Sequence, residues 1–246
     1  MEEFYTIQGE GYHTGKAAYF IRVGGCDVGC HWCDVKESWN AKLHPPTLAD
    51  TIVNNVKNNA NTVVVTGGEP LMRKDLPTLI NMLAMIEGIE DVAMTTNAFF
   101  LKEHAKALKE AGLKRLNISL DALDPEKFRD VNRRDCLKEV LEGMRISAEV
   151  GFKSIKVNAV AMKNFSETEI LRLIEMGRSD GFEIRFIEFM PLDSDRNWER
   201  DKVLFGHEIL DLIRVKYDLV PVENSLEIGP ASEYDFADGK GRIGII

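Results

Sequence analysis

Nowhere do the 246 residues approach a run of eighteen apolar positions, so the sequence offers no candidate membrane-spanning helix. The opening Met1-Glu2-Glu3-Phe4-Tyr5-Thr6-Ile7-Gln8 lacks the basic stretch followed by an apolar one that a secretory signal requires. Positive charge is in deficit: 31 Lys and Arg against 40 Asp and Glu leave a net charge of -9. That balance argues against duplex DNA or an anionic membrane as partner, because both call for basic surface. No low-complexity segment and no exact repeat is visible. Cysteine is scarce, four in all, and three of the four crowd into one loop. This does not look like a disulfide framework; a reducing, cytoplasmic compartment is the expectation. Cys136 stands apart in a helical pattern and reads as a small buried apolar residue.

What is present suits one large α/β core, since 44% of the residues are hydrophobic. Short β-rich runs recur at Ala18 to Val23, Thr62 to Thr66, Asp91 to Thr95, Arg115 to Leu120, Ser154 to Val160 and Glu183 to Phe189. Helical patterns lie between them, at Leu48 to Lys57, Leu76 to Ile86, Leu101 to Ala111, Leu137 to Val150 and Glu167 to Gly177, several closing on a glycine. These spacings suit right-handed βαβ crossovers and a parallel sheet. Six such units predict an open, partial (β/α)6 barrel, TIM-barrel-like, with its chemistry at the C-terminal strand ends. From Asp193 onward the pattern is less regular: a helix at Gly206 to Lys216 precedes a polar tail, Glu227 to Ile246, suited to short antiparallel strands. The expected division is a core domain over 1–192 and a short irregular C-terminal extension over 193–246.

Cys26, Cys30 and Cys33 form a C-x3-C-x2-C loop within Gly25-Cys26-Asp27-Val28-Gly29-Cys30-His31-Trp32-Cys33-Asp34. Three thiolates can hold three irons of a cubane, leaving the fourth iron open to a small molecule. Structural zinc is the rival, but it needs four ligands; His31 or Cys136 would have to complete a site that has no second pair. Gly24, Gly25 and Gly29 make the stretch look like a loop wrapping a cofactor. A second motif, Thr66-Gly67-Gly68-Glu69-Pro70, follows the second β-rich run and alone would be only a tight turn.

Together the two motifs resemble the signature of the radical S-adenosylmethionine (SAM) enzymes. The resemblance implies a [4Fe-4S] cluster on Cys26, Cys30 and Cys33 and SAM chelated by the open iron. Gly67, Gly68 and the Glu69 region would hold the methionine amino group, and Trp32 would lie near the adenine, although a core aromatic is an equal reading of Trp32. It also implies reductive cleavage of SAM to methionine and a 5'-deoxyadenosyl radical that abstracts hydrogen from substrate.

Beyond the shared motifs, residues 73–246 resemble the GTP 3',8-cyclases of molybdenum cofactor biosynthesis. The residues that carry this likeness are Arg73-Lys74-Asp75-Leu76, Thr95-Thr96-Asn97-Ala98, Asn117-Ile118-Ser119-Leu120-Asp121-Ala122-Leu123, Lys156-Val157-Asn158-Ala159-Val160 and Arg185-Phe186-Ile187-Glu188-Phe189-Met190-Pro191. The resemblance implies SAM contacts at Gly68, Ser119 and Met190, GTP contacts at Thr95 and Lys156, and conversion of GTP to 3',8-cyclo-7,8-dihydro-GTP. The bland reading of Lys156 is a strand-end surface lysine; an ammonium at a barrel mouth also suits a triphosphate. Tyr19 and Val64 stand where that family carries arginines. The run from Gly229 to Ile246 resembles the stretch before the family's second cysteine trio, so a truncated region without a second cluster, and weak GTP binding, are the expectations.

Residues 4–72 resemble instead 7-carboxy-7-deazaguanine synthase of queuosine biosynthesis, through Tyr5-Thr6-Ile7-Gln8-Gly9-Glu10-Gly11, Ala18-Tyr19-Phe20-Ile21-Arg22 and Lys36-Glu37-Ser38-Trp39. That likeness implies substrate contacts at Ile7, Gln8, Gly9, Arg22 and Thr66. It would bring Mg2+ as well, although Val35 occupies the position where that family often has a metal-binding Thr or Ser. The leading expectation is a cyclase-like lyase; the alternatives are the synthase and a non-catalytic fused or truncated remnant. The expected partners are a small purine or pterin substrate and an electron donor, without nucleic acid or membrane, and with a homodimer left open.

Overall fold

The computed structural model describes residues 2–7, 17–26, 28–29, 33, 36–44, 46–56, 60–191, 198–223 and 231–246. In chain order the strands are β1 (Glu2–Ile7), β2 (Ala17–Val23), β3 (Thr62–Gly67), β4 (Asp91–Thr96), β5 (Arg115–Ser119), β6 (Ser154–Ala161), β7 (Glu183–Glu188), β8 (Leu219–Pro221), β9 (Ser232–Phe236) and β10 (Arg242–Ile245). The helices are α1 (Ala49–Val56), α2 (Leu76–Ala84), α3 (Leu101–Glu110), α4 (Pro125–Asn132), α5 (Leu137–Glu149), α6 (Glu167–Asp180) and α7 (Gly206–Arg214).

All six expected β-rich runs are strands, and β2 through β7 lie side by side, parallel, in chain order. The complete order is β1-β2-β3-β4-β5-β6-β7-β10-β9-β8, an open sheet of the kind a partial barrel requires.

Alternation along each strand gives the sheet two chemically distinct faces. Val63, Val65, Val92, Met94, Leu116, Ile118, Val157, Ala159, Ile184 and Phe186 join the main core with apolar residues from the helices. Burying such side chains stabilises by roughly 1.5–3 kcal/mol each, and this face holds the helices to the sheet. The intervening residues of β2, β3 and β4 form a small separate apolar group, Ala18, Val64 and Ala93 against Phe20. Those of β5, β6 and β7 are polar: Arg115, Asn117, Lys156, Asn158, Glu183 and Arg185.

Three elements depart from the sequence pattern for identifiable reasons. β1 pairs antiparallel with β2 over six residues, and Phe4 stacks on Phe20 with ring centroids 5.4 Å apart; its mixed polarity hides it, because much of it is exposed. Helix α4 is short and polar, yet Asp124 caps it by accepting from the Glu126 and Lys127 N–H groups and Pro125 opens it. Helix α6 continues past Gly177 to Asp180, with Gly181 as its left-handed cap at φ 78°. Gly177 is a packing residue: a Cβ there would lie 2.6 Å from Ile184.

The tail is more regular than expected. β9 pairs antiparallel with β8 and β10, as foreseen, but β10 itself runs parallel to β7. Gly244 admits this pairing, since a Cβ would stand 3.1 Å from the Arg185 side chain. No described helix is long and apolar enough to cross a membrane.

Candidate functional site

The two motifs that stand forty residues apart in sequence are one backbone unit in space. Because β2 and β3 are neighbours, the turn after β3 lies against the loop after β2. Gly68 N–H donates to the Val23 carbonyl at 2.8 Å, and Glu69 N–H to the Gly25 carbonyl at 2.8 Å. The glycines are sterically required. Gly67 sits at φ 114° with Val23 backbone 2.4 Å from any Cβ, and a Cβ on Gly68 would lie 2.1 Å from the Gly25 oxygen and 3.1 Å from Cys26 Cβ.

The far side of the cysteine loop is held by a short 3-10 turn at Lys36–Trp39. Gly25 N–H donates to the Ser38 carbonyl at 2.6 Å and Cys26 N–H to that of Trp39 at 3.2 Å. The Trp39 indole N–H donates to Cys33 Sγ at 3.2 Å. Cys26 and Cys33 are half-buried; Cys30 and Trp32, like Gln8 and Gly9, fall outside the described residues. A sulfur that receives an N–H bond beside a cradle with no room for side chains fits a thiolate-ligated cluster. The two described sulfurs of the loop, on Cys26 and Cys33, therefore suit a thiolate-ligated iron–sulfur group.

Glu69 is 1% exposed, and its carboxylate is a strut. It accepts from Leu71 N–H at 3.0 Å, Thr96 hydroxyl at 2.7 Å and Asn97 N–H at 2.8 Å. It thereby fastens the turn after β3 to the end of β4.

Register gathers the cyclase-type candidates into rows. Thr95, Asn117, Lys156 and Glu183 are successive cross-strand neighbours, as are Ser119, Asn158, Arg185, Gly244 and Glu233. Ser119 is exposed at the end of β5, and Met190, just past β7, is 37% exposed. The expectation of Lys156 at a strand end is corrected: it is the third residue of β6, only 3% exposed, with Nζ 2.7 Å from Glu183. Thr66 and Arg22 are register partners near the same end, but Arg22 pairs with Glu2 at 2.7 Å and lies over the Phe4 ring. Ile7, at the end of β1, is 63% exposed.

From Lys156 a chain of charge runs out of the buried interior toward the surface. Glu183 also accepts from Arg185 Nε at 2.7 Å; Arg185, fully buried, donates to Glu233 at 3.1 Å; Arg242 donates to Glu233 at 3.0 Å and to Asp235 at 2.8 Å. Burial, then the nearby Arg185 guanidinium, brings the Lys156 ammonium down to about 8, against the opposing pull of Glu183. Burial pushes Glu183 up, but Arg185 and Lys156 together hold it below the usual carboxylate range.

Asn117, Glu183, Arg185, Glu233 and Trp39 were not foreseen as site residues. Asn117 and Arg185 alternate with apolar neighbours inside strands that otherwise read as core, which is the signal available to sequence. Asn117 Oδ1 is buried without a hydrogen-bond partner among the described residues, one register step from both Thr95 and Lys156. A buried carbonyl in that state points to a donor the protein does not supply. The two positions where the cyclases carry arginine offer no cation here: Tyr19 faces the helices, its hydroxyl donating to Glu3 at 3.1 Å, and Val64 packs in the small apolar group with Ala18 and Ala93.

An open sheet with six parallel strands in chain order, β2 to β7, and a cysteine loop zipped to a Gly-Gly-Glu turn defines a class. Residues 20–177 match the family model described as Radical SAM superfamily, and residues 182–246 that described as Molybdenum Cofactor Synthesis C. The GTP 3',8-cyclase of Rhodopirellula baltica is 45% identical over 185 residues, 74% of this chain and 52% of that protein. The GTP 3',8-cyclase of Alkaliphilus oremlandii is 36% identical over 226 residues, 90% of this chain and 69% of its own length. The chain belongs to the radical SAM superfamily and, within it, to the family of the GTP 3',8-cyclases. It spans about half the length of the Rhodopirellula protein, and the cyclase likeness extends well into residues 4–72. Among solved structures, Streptococcus suis SuiB bound to its precursor peptide SuiA shares the fold, with a TM-score of 0.65 at 19% identity over 80% of this chain and 44% of SuiB.

Proposed function

We propose that the protein is a cyclase-type radical SAM lyase that acts on GTP, forming 3',8-cyclo-7,8-dihydro-GTP. The observation that carries this reading is the 36% identity to the Alkaliphilus oremlandii GTP 3',8-cyclase across 90% of the chain. Cys26, Cys30 and Cys33 would hold a single [4Fe-4S] cluster, and Gly67, Gly68, Ser119, Met190 and Trp32 would seat SAM, with Glu69 fixing the turn. When bound, the cluster and SAM would supply a 5'-deoxyadenosyl radical. The chain's own residues orient the nucleotide and shield it: Thr95 and Asn117 offer a hydroxyl and a carbonyl on the interior face, and Lys156 offers an ammonium.

That ammonium is engaged with Glu183, so a phosphate must compete with a buried carboxylate for it. Charge-assisted pairing of this kind is strong when desolvated, and it gives the interior an anion site in a chain whose net charge is -9. A cytoplasmic location and an external electron donor belong to the same reading, and a homodimer is compatible with it.

The test is product analysis. Reconstituted, reduced protein incubated anaerobically with SAM and GTP should yield 5'-deoxyadenosine and a cyclised nucleotide. SAM cleavage stimulated by 6-carboxytetrahydropterin and not by GTP would transfer the assignment to the deazaguanine synthase reaction. A cluster-loaded protein that makes no 5'-deoxyadenosine with either compound would mark a non-catalytic remnant.

A further inference from the structure

The Trp39 indole N–H donates to Sγ of Cys33, a candidate cluster ligand, at 3.2 Å. Its placement is constrained from several sides. The six-membered edge of the indole lies 3.6 Å from where a Cβ on Gly29 would stand, so the ring packs flush on the cysteine loop. The Lys36 ammonium sits 5.4 Å from the ring centroid. The Trp39 carbonyl accepts the Cys26 N–H at 3.2 Å, and the preceding Ser38 carbonyl accepts that of Gly25. The turn is itself anchored by His44, whose Nε2 lies 2.8 Å from the Glu37 carbonyl and whose ring closes on Gly24. One residue thus touches the loop at both its first and its last cysteine, by backbone at Cys26 and by side chain at Cys33.

We propose that Trp39 is a positioning residue for the cluster, and that its N–H···S bond sets the ease of reduction. The physical argument is charge. A thiolate that ligates iron carries negative charge that grows when the cluster accepts an electron, and a donor aimed at that sulfur stabilises the reduced form more than the oxidised one. Hydrogen bonds to cluster sulfurs are among the levers by which a protein raises a reduction potential. The electron that cleaves SAM must first reside on the cluster, so the bond bears on the step preceding all substrate chemistry. The inference rests on the cluster reading of the cysteine loop.

The experiment compares the wild-type protein with Trp39→Phe, which keeps an aromatic ring against Gly29 and deletes the N–H. Iron and sulfide content are measured first, followed by an anaerobic redox titration monitored by electron paramagnetic resonance, with no substrate and no turnover. The expected result is full cluster content with the reduction equilibrium constant lowered about tenfold, equivalent to about 59 mV for a one-electron couple. Where the smaller ring lowers cluster content, replacing Trp39 by benzothienylalanine preserves indole shape and removes only the donor; the same lowering is expected. Equal potentials in cluster-loaded wild-type and either variant would overturn the proposal. Failure of the wild-type protein itself to bind iron would overturn the underlying cluster reading instead, so the two failures are distinguishable.

Discussion

Thr96 Oγ1 donates to Glu69 Oε1 at 2.7 Å while accepting the Ala98 N–H at 3.0 Å, so one hydroxyl joins the end of β4 to the turn after β3. Replacing Thr96 with the near-isosteric Val deletes the donor and leaves the buried Ala98 N–H without its acceptor. A buried group so stranded costs about 1–3 kcal/mol. In a protein of this size each kcal/mol lowers the melting temperature by roughly 2–4 °C, so calorimetry of Thr96→Val should show a drop of several degrees. An unchanged melting curve would mean that Glu69 is held well enough by Leu71 and Asn97.

Gly68 should tolerate no side chain. In Gly68→Ala the added Cβ would meet backbone at 2.1 Å, and the Gly25 carbonyl cannot retreat without carrying Cys26 with it. The expected outcome is a folded protein with most of its iron lost, read by iron and sulfide assay beside a circular dichroism spectrum close to wild type. Full iron content would refute the coupling of the two motifs.

Asn117 makes the opposite forecast for stability and binding. Because its buried Oδ1 has no partner among the described residues, Asn117→Leu removes a desolvated acceptor that contributes no bond, and stability should hold or rise by up to about 1–3 kcal/mol. Nucleotide or SAM affinity should fall about tenfold or more, measured by titration calorimetry on the cluster-loaded protein. Loss of stability with unchanged affinity would show that the residue only packs.

Lys156 predicts a pH dependence. Burial, followed by Arg185, sets its folded-state value at about 8, below the usual 10.5. Between those values the native state binds fewer protons than the unfolded one, so this group makes stability rise with pH across that window. Nucleotide binding runs the other way: it needs the ammonium, so GTP affinity should be constant below pH 7 and decline above 8, by up to about tenfold per pH unit. Lys156→Met should bind weakly at every pH, with a flat profile. A wild-type affinity that does not change between pH 7 and 9 would remove Lys156 from the phosphate site.

The framework was legible from Val, Ile and Leu. Runs such as Val63-Val64-Val65 announce strands buried on both faces, and the spacing between runs fixes parallel order. The cysteine loop and the Gly-Gly-Glu turn were legible as chemistry. Their union was not, because it depends on the pairing of β2 with β3 and on two backbone hydrogen bonds that carry no side-chain signature. β1 escaped because an exposed edge strand has no apolar alternation to display. The charged interior escaped for another reason: Lys156, Glu183, Arg185 and Glu233 lie on three strands, and only register brings them into one chain. Gly181 was legible as the glycine that closes α6, whereas Gly177 carries no sequence sign that it makes room for Ile184.

The salt-linked row through Arg185 also carries a message about the order in which the protein is made. Glu233 lies 48 residues downstream of the guanidinium it neutralises, on a strand that reaches β7 only through β10. A ribosome releasing the chain therefore delivers β2 through β7 before the carboxylate arrives. The growing chain should stay loosely packed around β7, and open to proteolysis there, until β9 and β10 have emerged and docked.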